Sequence, residues 1–198
     1  MKRFILLISA LLLAATALHA QAHLEFKGVP IDGTTKSVAA QLETVGFSIY
    51  KVDNGRYYME GTFSGQDATI VLVPTVQTQT CWKVKVYLES SLYWSKIKSS
   101  YNIFKDNLSK KYTKKKSYEY FSAPYKEGDG YETTAICAEK CIWKTFYTAN
   151  NSEGSAYGNI LLEVSNVGNR GGIVLSYEDA ANSKLYTAEK NMAVAKDL

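Results

Sequence analysis

One run of residues limits the fold more than any other. Trp94, Ile97, Tyr101, Phe104 and Leu108 recur at spacings of three and four, and Tyr112 extends the stripe. That period belongs to a helix with one apolar face, which must be buried against another element. Around it the period changes to two. Lys83 and Lys85 alternate with Val84, Val86 and Leu88, the pattern of a sheet with one wet face. A helix that needs a cover, beside strands that offer one apolar face, predicts an α+β protein: an antiparallel sheet with helices packed on one face.

The remaining text fits that frame. Asp32-Gly33-Thr34-Thr35 supplies turn and cap residues, Val38, Leu42 and Val45 mark a one-sided helix over 35–45, and Gly46 is placed to end it. Residues 47–51, 56–63, 68–73 and 81–88 read as strands, with Asp53-Asn54-Gly55 a strong hairpin signal. After the 94–108 helix, Lys110, Lys111, Lys114, Lys115 and Lys116 read as cations gathered at and beyond its negative C-terminal end. Residues 117–121, 131–137, 141–147, 159–165 and 172–177 read as further strands, and 179–196 as a largely exposed final helix. The order is that of two tandem helix-plus-three-strand units sharing one compact structure, the first over 23–90 and the second over 91–198.

The first 22 residues carry an address. Lys2 and Arg3 precede a short apolar run, and Ala20-Gln21-Ala22 gives an A-x-A cleavage pattern, so the chain reads as exported with a cleaved signal peptide over 1–22. No Cys stands near the cut to accept a lipid. The expectation is a periplasmic or secreted protein, neither a lipoprotein nor membrane-spanning after cleavage. Without Lys2 and Arg3 the 23 basic residues fall to 21 against 19 acidic, a net of +2. That balance excludes a broad nucleic-acid surface.

The inventory of chemical groups is thin. Of two histidines, His19 lies in the signal and His23 at the start of the mature chain, where a mobile end is expected. Triads and histidine-based zinc sites therefore lack ligands, and no metal or cofactor is expected. The spacing Cys137-x-x-x-Cys141 permits a disulfide if the intervening residues turn. On one continuous strand the Cα atoms would lie roughly 13 Å apart, beyond the reach of about 7 Å. Cys81 is the third thiol. Glu127, Asp129 and Glu132 form the densest acidic patch, which reads first as solvated loop charge; with Glu178 they are the carboxylates to test for a small hydrolase.

Aromatic residues are the abundant resource, with 15 tyrosines and three tryptophans. Tyr57-Tyr58 and the Tyr118/Tyr120 pair put rings on strands, where one face of a sheet can offer them to a partner; Tyr125 stands in the acidic loop.

Several runs carry a resemblance: Gly28-Val29-Pro30-Ile31-Asp32-Gly33-Thr34, Gly61-Thr62-Phe63-Ser64-Gly65, Val84 to Leu88 leading to Trp94-Ser95, Glu127-Gly128-Asp129-Gly130-Tyr131-Glu132, Lys140-Cys141 and Ser176-Tyr177-Glu178-Asp179. Together they resemble a family of small secreted Bacteroidetes proteins, in which none of these motifs is tied to a known chemistry. The order of elements is similar to the β-lactamase inhibitor protein fold, shared with small outer-membrane assembly lipoproteins, whose anchoring Cys is missing here. Such a likeness does not carry function across. The expectation is a non-enzymatic exported module that binds a protein or envelope component through its sheet. The alternative is a carbohydrate-binding or adhesin-type accessory protein, and the third reading is the carboxylate-dependent hydrolase.

Overall fold

The structure, a computed structural model, describes residues 22–196; the export signal expected over 1–22 falls almost entirely outside them. A two-stranded hairpin, β1 (Glu25–Phe26) and β2 (Val29–Pro30), leads to α1 (Thr35–Glu43). The side chain of Thr34 caps that helix by accepting the Ser37 N–H. Then come β3 (Ser48–Asp53), β4 (Arg56–Phe63), β5 (Gln66–Pro74) and β6 (Cys81–Ser91). The long helix α2 (Trp94–Lys111) precedes β7 (Thr113–Phe121), the short α3 (Glu132–Cys137), β8 (Cys141–Asn150), β9 (Ala156–Val167) and β10 (Arg170–Asp179). The last helix, α4, covers Ala180–Lys196.

Eight strands form one fully antiparallel sheet in the order β3-β4-β5-β6-β10-β9-β8-β7. Each half is a meander, and the two meet where β6 pairs with β10, Val86 opposite Leu175 and Val84 opposite Tyr177. Asn54-Gly55 turns β3 into β4 with both residues at positive φ, 48° and 74°, the conformation that tight two-residue hairpins require.

Register sorts the side chains. One cross-strand row runs Met59, Ile70, Val86, Leu175, Leu162, and all five are fully buried. Against this face lies the predicted stripe of α2, with Ile97, Tyr101, Phe104 and Leu108 buried. Tyr101 anchors to the sheet through its hydroxyl, 2.6 Å from that of Thr145. Trp94 packs edge-on against Trp143 at 4.8 Å and Phe121 at 5.1 Å between centroids. A chain of rings, Phe104, Phe63, Phe26 and Tyr177, ties α2 through the N-terminal hairpin to β10.

Four expectations are corrected. Residues 131–137 form α3, not a strand: Asp129 and Glu132 hold the preceding loop as a turn, and Ala135 and Ile136 drop onto the sheet above Gly171. A Cβ on Gly171 would come within 2.7 Å of Ile136 Cδ1, so the missing side chain makes the seat. Each long helix is followed by four strands of the large sheet, not three. The strand expected over 117–121 begins at Thr113, because the chain turns extended at Tyr112, so Lys114, Lys115 and Lys116, beyond the helix end, lie on β7. His23 is not loose: its Nδ1 lies 3.1 Å from Asp179 Oδ2, which also accepts the Leu24 N–H at 2.9 Å.

α4 is largely exposed, as its weak periodicity implies, and polar residues attach it. Asn182 Nδ2 donates to the carbonyls of Ile31 and Cys81. Glu189 accepts from the Thr78 hydroxyl at 2.6 Å and from the Gln77 and Thr78 N–H groups, and Tyr186 stacks on Trp82 at 4.4 Å. Burial works against the Glu189 charge, but these donors outweigh it and hold the carboxyl below its ordinary value. A depressed folded pKa adds stability that is complete above the unfolded carboxylate value near about 4.3 and is lost as pH falls through the folded one. Glu189→Gln should therefore lower Tm at pH 7 by about 2–4 °C, and the gap to the unaltered protein should close on titration to acid. Thermal melts of both proteins across that range check this.

Candidate binding surface

The pleat that buries one face of the sheet opens the other at its outer strands, while Val174 and Ser176 on the central strand β10 stay buried there too. On that side a continuous row crosses all eight strands: Ser48, Glu60, Thr69, Tyr87, Val174, Glu163, Lys144 and Tyr118. A second runs beside it: Lys51, Tyr58, Val71, Lys85, Ser176, Leu161, Phe146 and Lys116. The contrast with the fully buried row is greatest at the outer strands, where Ser48, Glu60 and Tyr118 are exposed. Aromatic rings gather at both flanks of this open face. Tyr50 and Tyr58 lie 6.3 Å apart on the β3–β4 side, and Tyr118 meets Phe146 edge-on at 6.3 Å on the β7–β8 side. Tyr50 and Tyr120 are each 52% exposed, too open for core residues.

Between the flanks, buried Val174 and Val71 alternate with polar residues, two ion pairs among them. Lys83 binds Glu178 at 2.7 Å and Lys144 binds Glu163 at 3.0 Å, both across neighbouring strands. Along the first half, Ser48, Glu60, Thr69 and Tyr87 line a shallow trough of about 740 Å³. Its wide mouth and mixed lining suit a protruding element of a partner better than an enclosed small molecule.

The sequence-derived candidates fall into three groups. Tyr58, Tyr118 and Tyr120 share the open face, whereas Tyr57, one residue from Tyr58, turns to the other side and packs against the core. Tyr125 lies in the loop before α3, where its N–H bonds the Ser122 carbonyl. The acidic residues are occupied rather than convergent. Glu127 accepts from Trp94 Nε1 at 2.9 Å and from Lys98 Nζ, donors that depress its pKa. Asp129 accepts the N–H groups of Lys126 and Tyr131, which also hold its carboxyl below the usual range. Glu132 is buried and takes the Gly128 N–H at 2.7 Å. These bonds make the segment a tied loop. Glu178 sits seven residues along β10 from Gly171, beside which α2 and α3 pack, so strand rise alone puts it roughly 23 Å away. No group of three or more His, Cys, Asp or Glu among the described residues is arranged to hold a metal ion. No helix among them is long and apolar enough to cross a membrane.

Cys81, Cys137 and Cys141 are all free thiols. Burial pushes Cys81 and Cys141 up to about 12, far from the reactive thiolate range. Sequence reasoning missed Asp179, which is fully buried yet receives three donors: His23, Leu24 N–H, and the Asn182 N–H at 2.9 Å. Its position directly before a helical stretch is a cap signal that was present in the letters. It also missed Tyr50, Tyr87 and Phe146, whose shared face depends on register between strands.

Comparison with family models, with curated proteins and with solved structures finds no match.

A thiol-reactive dye checks the cysteine assignment. One equivalent should react promptly in the native protein, at the half-exposed Cys137, and three in denaturant. Prompt labelling of Cys81 or Cys141 would contradict the packing described above.

Proposed function

We propose that this chain is an exported, non-enzymatic binding module that grips a protein or envelope component with the open face of its sheet. One observation carries the reading. A face eight strands wide, with no α1 or α2 packed on it, displays tyrosines at both flanks and a trough between them. Large rings that retain a polar tip give contact area at low entropy cost, which is why they recur in recognition surfaces. The export pattern at residues 1–22 supports the location, and no Cys there offers a lipid acceptor. The occupied state of Glu127, Asp129 and Glu132 argues against the hydrolase alternative, since two free convergent carboxylates are what that chemistry needs.

The two halves are read as tandem units, one helix and one four-strand meander each, joined last strand to last strand. The support is the mirrored strand order, with each long helix immediately before its own meander. Such an arrangement doubles the area of the open face without a second core layer.

The test uses two variants of the mature protein, Tyr50→Ser/Tyr58→Ser/Tyr87→Ser on the β3–β6 half of the face and Tyr118→Ser/Tyr120→Ser on the β7 flank. Both should melt within a few degrees of the parent protein, because open-face rings contribute little to the core. Each should lose at least tenfold in retention of the component captured from an envelope extract. A glycan array run in parallel separates the carbohydrate-binding alternative, which would give saturable signal on a defined sugar. Undiminished capture by both variants would refute the open-face reading.

A further inference from the structure

We propose that β7 is a docking edge for an extended acidic segment of another protein, which adds to the sheet as a ninth strand. The inference rests on the open-face reading in one respect only, that the added strand would lie beside Tyr118 and Tyr120; the edge itself is a separate surface. β7 is an outer strand nine residues long, and all but Phe121 are exposed, so alternate backbone N–H and C=O groups along it point to solvent. An edge of that length is normally shortened or covered. Here it carries charge instead. Lys110, Lys111, Lys114, Lys115 and Lys116 form no ion pair among the described residues. The one carboxylate on the strand, Glu119, is engaged by Lys105 and by the Ser117 hydroxyl and forms no ion pair with them.

Like charge makes this edge reject a second copy of itself, the ordinary use of edge lysines. The same charge selects an acidic strand, since each carboxylate brought near it relieves repulsion rather than adding to it. Geometry adds a pattern. The ladder between β7 and β8 shifts register between Lys114 and Lys116 and is regular from Lys116 to Phe121. Lys116 shares the row of Phe146, and Tyr118 and Tyr120 follow at strand period on the same face. An added strand would therefore present an acid beside Lys116 and apolar side chains beside the two tyrosines. Main-chain bonds supply affinity in this mode, and alternate side chains supply specificity.

The probe is a ten-residue Glu/Val peptide, Thr-Val-Thr-Val-Thr-Glu-Thr-Glu-Thr-Glu, whose same-face residues in an antiparallel pairing set Val beside Tyr120 and Tyr118 and Glu beside Lys116. Three comparisons accompany it: the same peptide N-methylated at every second residue, the Lys/Val analogue, and the Lys114→Glu/Lys115→Glu/Lys116→Glu protein. Binding is followed by fluorescence polarisation and by amide exchange. The Glu/Val peptide should bind saturably, slow exchange at alternate residues of 113–121, and weaken at least tenfold with the charge-reversed protein and on N-methylation. The Lys/Val analogue should not bind. Equal affinity for the N-methylated peptide would mean adsorption of acid onto lysine and would overturn strand addition. No binding at millimolar peptide, protection on β3 instead of β7, or dimers of the chain joined through β7 would overturn it as well. The Tyr50→Ser/Tyr58→Ser/Tyr87→Ser variant should bind the peptide normally. Failure of the edge proposal is thus separable from failure of the open-face reading.

Discussion

The pairing of β6 with β10 is the constraint from which the rest of the structure follows. Each meander alone is four strands wide, too little to bury a row such as Met59 and Ile70 on one side or Leu162 and Leu175 on the other. Joined at Val86 and Leu175, the two rows become one, and α2 can lie across the seam with contacts to strands of both halves. The pairing also fixes the opposite side. Because side chains alternate along a strand, the register that buries Val84 and Val86 commits Lys83, Lys85 and Tyr87 to the other face. The candidate binding surface is in this sense the necessary reverse of the core.

The join is protected at one end by a polar device. Asp179 closes β10, caps α4 through the Asn182 N–H, and holds the N-terminal segment by Leu24 and His23. Asn182 then bonds the carbonyls of Ile31 and Cys81, so four separate segments share two side chains. A buried carboxylate is tolerated here because its oxygens meet three donors; removing one partner would leave an unsatisfied charge, a far larger cost than the bond itself. Apolar packing could not set this corner, since α4 carries no continuous apolar stripe.

What could be read from the letters was whatever local period encodes. The stripe from Trp94 to Leu108, the alternation at Val84 to Leu88 and the Asn54-Gly55 turn each specify their own conformation, and each stands in the structure as read. Residues 131–137 failed because Thr133 and Thr134 favour strands, while loop hydrogen bonds from Asp129 and Glu132 start a helix instead. The start of β7 failed for a related reason: Lys114 to Lys116 carry no strand preference, so the strand was expected only from Ser117, although the chain turns extended at Tyr112. Among the candidate residues, Tyr58, Tyr118 and Tyr120 were identifiable as strand rings. That they lie on one face, with Tyr50, Tyr87 and Phe146 beside them, depends on registers between segments up to a hundred residues apart, which no window along the chain contains.

The charge pattern of the open face bears on how a partner could use it. Lys83 with Glu178 and Lys144 with Glu163 neutralise one another near the middle strands. Exposed pairs like these add little stability, about 0–1 kcal/mol, yet they remove the unpaired charge that would demand an opposite charge from whatever docks. Lys85 lies over the Tyr87 ring without a carboxylate partner among the described residues, but the dense run of unpaired lysines lies at the β7 rim. Charge at a rim governs approach and choice of partner, while rings at the flanks govern how long it stays. A partner seated on this sheet would meet its selective contact first at Lys114 to Lys116 and its adhesive contacts afterwards, at Tyr118 and Tyr120 and then across the trough at Tyr58 and Tyr87.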